Sequence, residues 1–231
     1  GANQAVAAAR AGGRVALVAR LGRDAFGDKA LEGFAGDKID TKHVARDDRE
    51  PSGVASIIVD ARGENAIAVA PGANGRLSAA DVDAARQTIE RAAAVVLQLE
   101  VPMEAVIRAA ELGREAAAAV ILNPAPAQEL PAELLANVTV LTPNAIEARM
   151  LTDIEVSSDA TAMQAARKLH GRGVETVLIT RGAEGVYVSC GEYRGHVRAF
   201  DVQPVDTTAA GDVFTGVLAV GLAEGDRKSV V

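Results

Sequence analysis

One cysteine, no tryptophan and 3% aromatic residues in 231 positions are the first features of this sequence. A lone cysteine, Cys190, closes no disulfide within the chain and suits a reducing compartment, so a cytoplasmic location is expected. Scarce aromatics remove the stacking platforms that hold single-stranded nucleic acid. Cationic excess is also missing: 24 Lys and Arg stand against 31 Asp and Glu, for a net charge of −7. That balance excludes the basic face a phosphate polymer needs. The three histidines, His43, His170 and His196, are scattered without metal-ligand spacing. No apolar run reaches the ~18 residues of a membrane span, and the longest, 116–122, is strand-sized. No secretory signal pattern is found, and no repeat, low-complexity tract or linker divides the chain, so one domain over 1–231 is expected. What is present is 49% hydrophobic and 24% charged, a globular composition. A chain of this length buries roughly 70% of its unfolded surface and needs no disulfide or metal staple.

Short apolar runs alternate with helical stretches. A small-residue helix over 3–11 leads to the run 15–18, and a helical stretch over 24–35 follows. Ser78 is an N-cap signal, with Asp81 in the first turn, for a helix through about 92. The runs 95–99, 120–122, 138–141 and 176–180 predict buried strands. Helices open between them at Pro102 and at Pro143, a first-turn position that tolerates proline, and a third covers 160–172 before Gly173. This alternation predicts an α/β fold: a doubly wound, mostly parallel sheet flanked by helices. Two segments break the rhythm. Runs 53–59 and 65–69, joined by Asp60-Ala61-Arg62-Gly63-Glu64, predict a β-hairpin, either a small lid or a plain edge hairpin. Residues 185–200 form a second hairpin pattern, turning at Cys190-Gly191-Glu192.

The densest chemical signal is Asp206-Thr207-Thr208-Ala209-Ala210-Gly211-Asp212, running into an apolar helix. Small residues let a backbone approach an anion, and the following helix offers unpaired N–H groups at its positive end. The amides of Ala210, Gly211 and Asp212 are placed to collect charge on phosphoryl oxygens, and Asp212 is placed as a general base for a hydroxyl. The alternative is that Asp212 only caps the helix and Gly211 only makes the turn. Thr180-Arg181-Gly182-Ala183-Glu184-Gly185 follows a strand and has the shape of a nucleotide-contacting turn, or of an ordinary turn. It matches neither the P-loop nor a dinucleotide fingerprint. Asn144 and Glu147 stand at i and i+3 of a helix start, an amide and a carboxylate suited to a hydrated magnesium ion, or a solvated first turn. Glu100 closes a strand at its carboxyl end, where ligands of open α/β sheets bind.

These stretches, in order with "GANQAVAAAR" at the start, "LQLE", "NPAPAQELP", "LTPNAIEA" and "VDTTAAGD", closely resemble the PfkB-type carbohydrate kinase family over essentially 1–224. The forms "GANQAVAA", "NPAPA" and "AAGD", with Ala209 where most relatives carry glycine, resemble the branch that acts on ribose. The resemblance implies ATP-dependent phosphorylation of D-ribose at O5, with Asp212 as base and Gly211 and Ala210 in the anion hole. Gly1, Ala2, Asn3 and Glu100 would hold sugar hydroxyls. Asn144, Gly211 and the turn Thr180, Arg181, Gly182, Ala183, Glu184 and Gly185 would contact ATP. Glu147 would organise the water shell of Mg2+, and Asp206 and Thr208 would be oxygen ligands of an activating K+. The hairpin at about 53–70 would be the lid and a homodimer contact. Alternatives are another sugar kinase of the family, for deoxyribose or ketodeoxygluconate, or a non-catalytic sugar- or nucleotide-binding protein of the same fold. An oxidoreductase reading lacks its dinucleotide fingerprint. The resemblance also places a first strand before Gly1 and an adenine-pocket loop past Val231. An incomplete, inactive chain with a foreign tail over about 225–231 is therefore expected.

Overall fold

The computed structural model describes residues 1–59, 65–191, 193–203 and 206–225. Strands β5 (Ala94–Leu97), β6 (Ala119–Leu122), β7 (Val140–Leu141) and β8 (Thr176–Thr180) lie side by side and parallel. β8 pairs antiparallel with β9 (Val186–Cys190), and β9 with β10 (Tyr193–Val197), completing a sheet in the order β10-β9-β8-β7-β6-β5. Alternate side chains enter two dry faces. Val120, Leu122, Val177 and Ile179 pack against α5 (Met103–Glu115), α6 (Ala132–Leu135) and α8 (Asp159–His170). Ile121, Val140, Leu178 and Val188 point the other way, onto Leu218 and Ala219 of α9 (Ala210–Ala223). Burial on both faces is why these strands read as unbroken apolar runs.

The N-terminal part adds α1 (Ala2–Arg10), β1 (Ala16–Gly22), α2 (Ala25–Gly36) and β2 (Asp40–Asp47). β1 and β2 form a separate parallel pair over a core of Ala5, Phe34 and Ile39. Val18 of β1 and Val95 of β5 both enter one further cluster, with Val82 of α3 (Ala79–Ala84), Ile89 of α4 (Arg86–Ile89) and Leu112 of α5. Among the described residues, strands β3 (Val54–Val59) and β4 (Asn65–Ala70) pair antiparallel with each other alone. The hairpin is thus not an edge of the large sheet; its turn, 60–64, lies outside the described residues, as does Glu192. The hairpin's two legs cross closely at the base. A Cβ on Gly72, whose φ is +50°, would stand 2.3 Å from the Pro51 carbonyl oxygen. Among the described residues, no helix is long and apolar enough to cross a membrane.

Several boundaries differ from expectation. Ser78 and Asp81 do form a reciprocal capping box, but α3 stops at Ala84 and only the single turn α4 follows. The strand expected over 95–99 ends at Leu97, and the Leu99 amide turns to bond Ala125 O at 3.0 Å. The helix expected from Pro143 starts instead at Ala145, because the Asn144 side chain caps it. α8 ends at His170, and Gly173, with φ +103°, turns the chain toward β8.

Candidate active site

The turn before α9 is made by Ala209 at φ +62°, a left-handed conformation that is costly for a residue with a Cβ. That is the physical reason glycine would be at home there. α9 starts without a side-chain cap, so Asp212, in its first turn, is not spent on capping. Its Oδ2 instead accepts a hydrogen bond from Asn3 Nδ2 at 3.1 Å. The Ala210 amide is engaged with Thr207 O at 3.2 Å, which removes it from the expected set of anion donors. Gly211 faces open space where a side chain would stand, so an approaching group meets bare backbone there.

Asn3 belongs to the first turn of α1, directly after Gly1 and Ala2. Gly1 N donates to Gln98 Oε1 and lies 4.0 Å from Glu100 Oε2. Gly1, Asn3, Glu100 and Asp212, far apart in the sequence, therefore share one polar corner. Gln98 belongs to it as well and was missed. Its signal was a polar residue placed just past the apolar strand β5, at the carboxyl end of the sheet.

The second half of the site forms where β7 and β8 end. At the start of α7 (Ala145–Thr152), Asn144 Oδ1 accepts from the Glu147 amide and Glu147 Oε2 accepts from the Asn144 amide, both at 2.8 Å. Glu147 is buried, so this is no solvated first turn. Burial pushes its carboxyl pKa up, opposed by the Asn144 amide. Asn144 bridges to Thr180, whose amide donates to Pro143 O at 2.9 Å. Asn144, Ala145, Thr180, Arg181, Gly182 and Glu184 consequently line one open cleft. The turn is shaped by Gly182 at φ +58° and Gly185 at φ +105°, where a Cβ would meet Val197 O at 2.1 Å. The Arg181 side chain is nearly buried and paired with Asp159 and Glu184. The His196 ring joins Asp159 Oδ1 to the Glu184 carbonyl, closing the brace. Arg181 and Glu184 thus spend their charges on each other, and what the turn offers the cleft is backbone.

Asp206 Oδ1 accepts the Thr208 amide at 2.8 Å, and the bonds from the Thr208 amide and hydroxyl lower the Asp206 carboxyl pKa. The donors beside the anion turn are oxygens, the chemistry a hard cation takes. No group of three or more His, Cys, Asp or Glu stands together among the described residues. A metal at Glu147 would accordingly be held by few protein oxygens, with water completing its shell.

Residues 1–229 match the profile of the pfkB family carbohydrate kinases. The chain is 43% identical to a ribokinase of Haemophilus influenzae, over 97% of this chain and 73% of that protein. It is 37% identical to a deoxyribokinase of Salmonella typhi, over 95% of this chain and 72% of that protein. The fold matches Arabidopsis thaliana ribokinase, solved with ribose and ATP, at a TM-score of 0.90 and 33% identity, covering 97% of this chain and 74% of that one. With a matching profile over nearly its whole length, the chain belongs to the pfkB family of carbohydrate kinases.

Proposed function

We propose that the protein transfers the γ-phosphoryl group of ATP to the 5-hydroxyl of D-ribose. The observation that carries this reading is the meeting of Asp212 with Asn3 at 3.1 Å, at the amino end of α9 and beside Glu100. Asn3 holds Oδ2, so Oδ1 is left to take the proton of the attacking hydroxyl. The sugar oxygen forms a bond to the γ-phosphorus as the bond to the β,γ-bridging oxygen breaks, and ADP leaves. Charge on the transferring oxygens is collected by the Gly211 and Asp212 amides at the positive end of the helix. Gly1, Ala2, Asn3 and Glu100 hold the sugar. Asn144 and the turn 180–185 hold the nucleotide, with Gly211 at the phosphate.

Glu147 and Asn144 would hold the waters of Mg2+, which supplies charge neutralisation of the polyphosphate when bound. Asp206 and Thr208 would supply oxygens to K+, which stiffens the anion turn. The hairpin β3–β4 serves as lid and as the contact of a homodimer; exposed Val54 and Val69 on it give that contact apolar surface. A single domain working in the cytoplasm completes the reading, in keeping with the unpaired Cys190.

The relative named deoxyribokinase gives a specific rival, so the acceptor is the point to test. Asp212→Asn keeps the side chain's size and loses its basicity, and kcat should fall by roughly 10²–10⁴-fold with ribose affinity retained. Rates with ribose, 2-deoxyribose and ketodeoxygluconate are measured in parallel by coupled ADP release. A mutant above a tenth of wild-type turnover removes Asp212 from its role, and a better rate with deoxyribose replaces the acceptor.

A further inference from the structure

Behind the site runs a chain of four buried polar side chains that the reaction as described does not use. Gln4, Asn123, Thr142 and Thr215 are 3%, 7%, 2% and 0% exposed. Gln4 Nε2 donates to Asn123 Oδ1 at 3.1 Å, and Asn123 Nδ2 donates to Thr142 O at 3.1 Å. Thr142 Oγ1 lies 3.4 Å from Leu122 O and 3.3 Å from Thr215 Oγ1. Thr142 has one hydroxyl hydrogen; if it goes to the Leu122 carbonyl, Thr215 must donate to Thr142, and every member is satisfied. Each member sits next to a piece of the proposed machinery. Gln4 follows Asn3, Thr142 comes two residues before Asn144, and Thr215 lies one turn along α9 from Asp212.

We infer that this chain is a positioning device: it fixes α1, the ends of β6 and β7, and α9 in one register, so that Asp212 stands correctly between the sugar corner and the nucleotide cleft. The inference rests on Asp212 being the base. The physical case is one of cost and direction. Four buried amides and hydroxyls are expensive unless bonded, and apolar residues of similar shape would fill the same space at little loss. Apolar packing, however, tolerates small slips along a helix axis, whereas hydrogen bonds specify partner, distance and angle. The chain spans the four elements whose relative placement the reaction needs, and phosphoryl transfer is chiefly a matter of placement.

Thr215→Val removes the hydroxyl and keeps the branched shape. Its kcat should fall about tenfold, while the KM values for ribose and ATP stay within about twofold, because placement of the base and not ligand contact is disturbed. Thr215→Ser should restore turnover, since it returns the hydroxyl but not the methyl. Gln4→Met cuts the chain at its other end and carries the same test should Thr215→Val fail to fold. If both cut one device, the double variant is no slower than the slower single one. Wild-type kcat in Thr215→Val, a loss not rescued by serine, or multiplying losses in the double variant each overturn the inference. Asp212→Asn is assayed alongside. If it is active, the base reading fails and this one with it; if it is dead while Thr215→Val runs at full rate, only the positioning role fails.

Discussion

Gly216 is where α9 touches α1, and replacing it by alanine tests whether that contact sets the geometry of the site. A Cβ there would stand 2.6 Å from Gln4 O, 2.8 Å from Ala7 Cβ and 3.0 Å from Ala8 N. Two of these obstacles are backbone atoms of α1, so no side chain can swing aside. Relief to an ordinary contact near 3.4 Å moves the helices apart by about 0.8 Å. Asn3 rides on α1 and Asp212 on α9, so their 3.1 Å bond opens to about 3.9 Å, past hydrogen-bonding range. A misplacement near 1 Å costs up to about 10²-fold in rate, so kcat should drop by roughly 10–100-fold. Overpacking costs about 1–3 kcal/mol, offset by about 1 kcal/mol of helix propensity gained. The melt should therefore fall by only a few degrees, about 2–4 °C per kcal/mol for a chain of this size. Gly33→Ala in α2 is the control: nothing lies within 4 Å of its added Cβ, so only the propensity gain applies and the melt should rise. Coupled ADP release and thermal melts of both variants decide the matter. Gly216→Ala with wild-type turnover and a melt raised like that of Gly33→Ala would refute the reasoning.

Glu147→Gln should raise the magnesium concentration needed for half-maximal rate without weakening sugar binding, since the lost charge orders metal waters and not the acceptor; superimposable magnesium titrations would make Glu147 a capping residue only. Potassium should activate more than sodium, because Asp206 and Thr208 gather oxygen donors in one turn shortly before α9; equal rates at matched ionic strength leave Asp206 as a turn-former. Asp47 is buried and accepts from Arg20 Nε at 2.7 Å and from the Arg49 and Glu50 amides at 2.9 Å, which hold its pKa far below the usual carboxylate range. A depressed folded pKa gives stability that is present above the unfolded value, near 3.9, and lost as pH falls through it toward the folded value. The melting-temperature gap between wild type and Asp47→Asn should be full near neutrality and shrink below about pH 4; a gap independent of pH excludes this carboxylate as its source.

The parallel strands of the large sheet were legible because both faces are covered, which leaves an apolar run with little polar to interrupt it. The α3–α4 region shows where such reading fails. Val82, Ala85 and Ile89 all enter one apolar cluster, so the periodicity continues across the segment. The break at Ala85 (φ −93°, ψ 2°) is a backbone event that leaves the hydrophobic pattern intact. At Pro143 two local signals competed. Proline fits a helix's first turn, but Asn144 with Glu147 three residues on is a reciprocal capping pair, and two satisfied amides outweigh one pre-set φ.

The site divides along a similar line. Asp212, Asn144 and Glu147 could be proposed from sequence because each sits at a helix start, where the meaning of a side chain is set by its neighbours in sequence. Gln4, Asn123, Thr142 and Thr215 could not, because their partners lie far away: 119 residues separate Gln4 from Asn123, and 73 separate Thr142 from Thr215. What sequence does carry is a weaker clue. Thr215 interrupts an otherwise apolar helix segment, and its neighbours leave no room for it to be solvated. A hydroxyl in such a place must have a partner, so its presence predicts a bond without saying to what. The partner is decided by Gly216, which lets α1 close on α9, and by the strand ends that bring Thr142 beneath the helix. The residues proposed for the chemistry are therefore written locally, while those proposed to aim them are visible only once the sheet and its helices have been assembled.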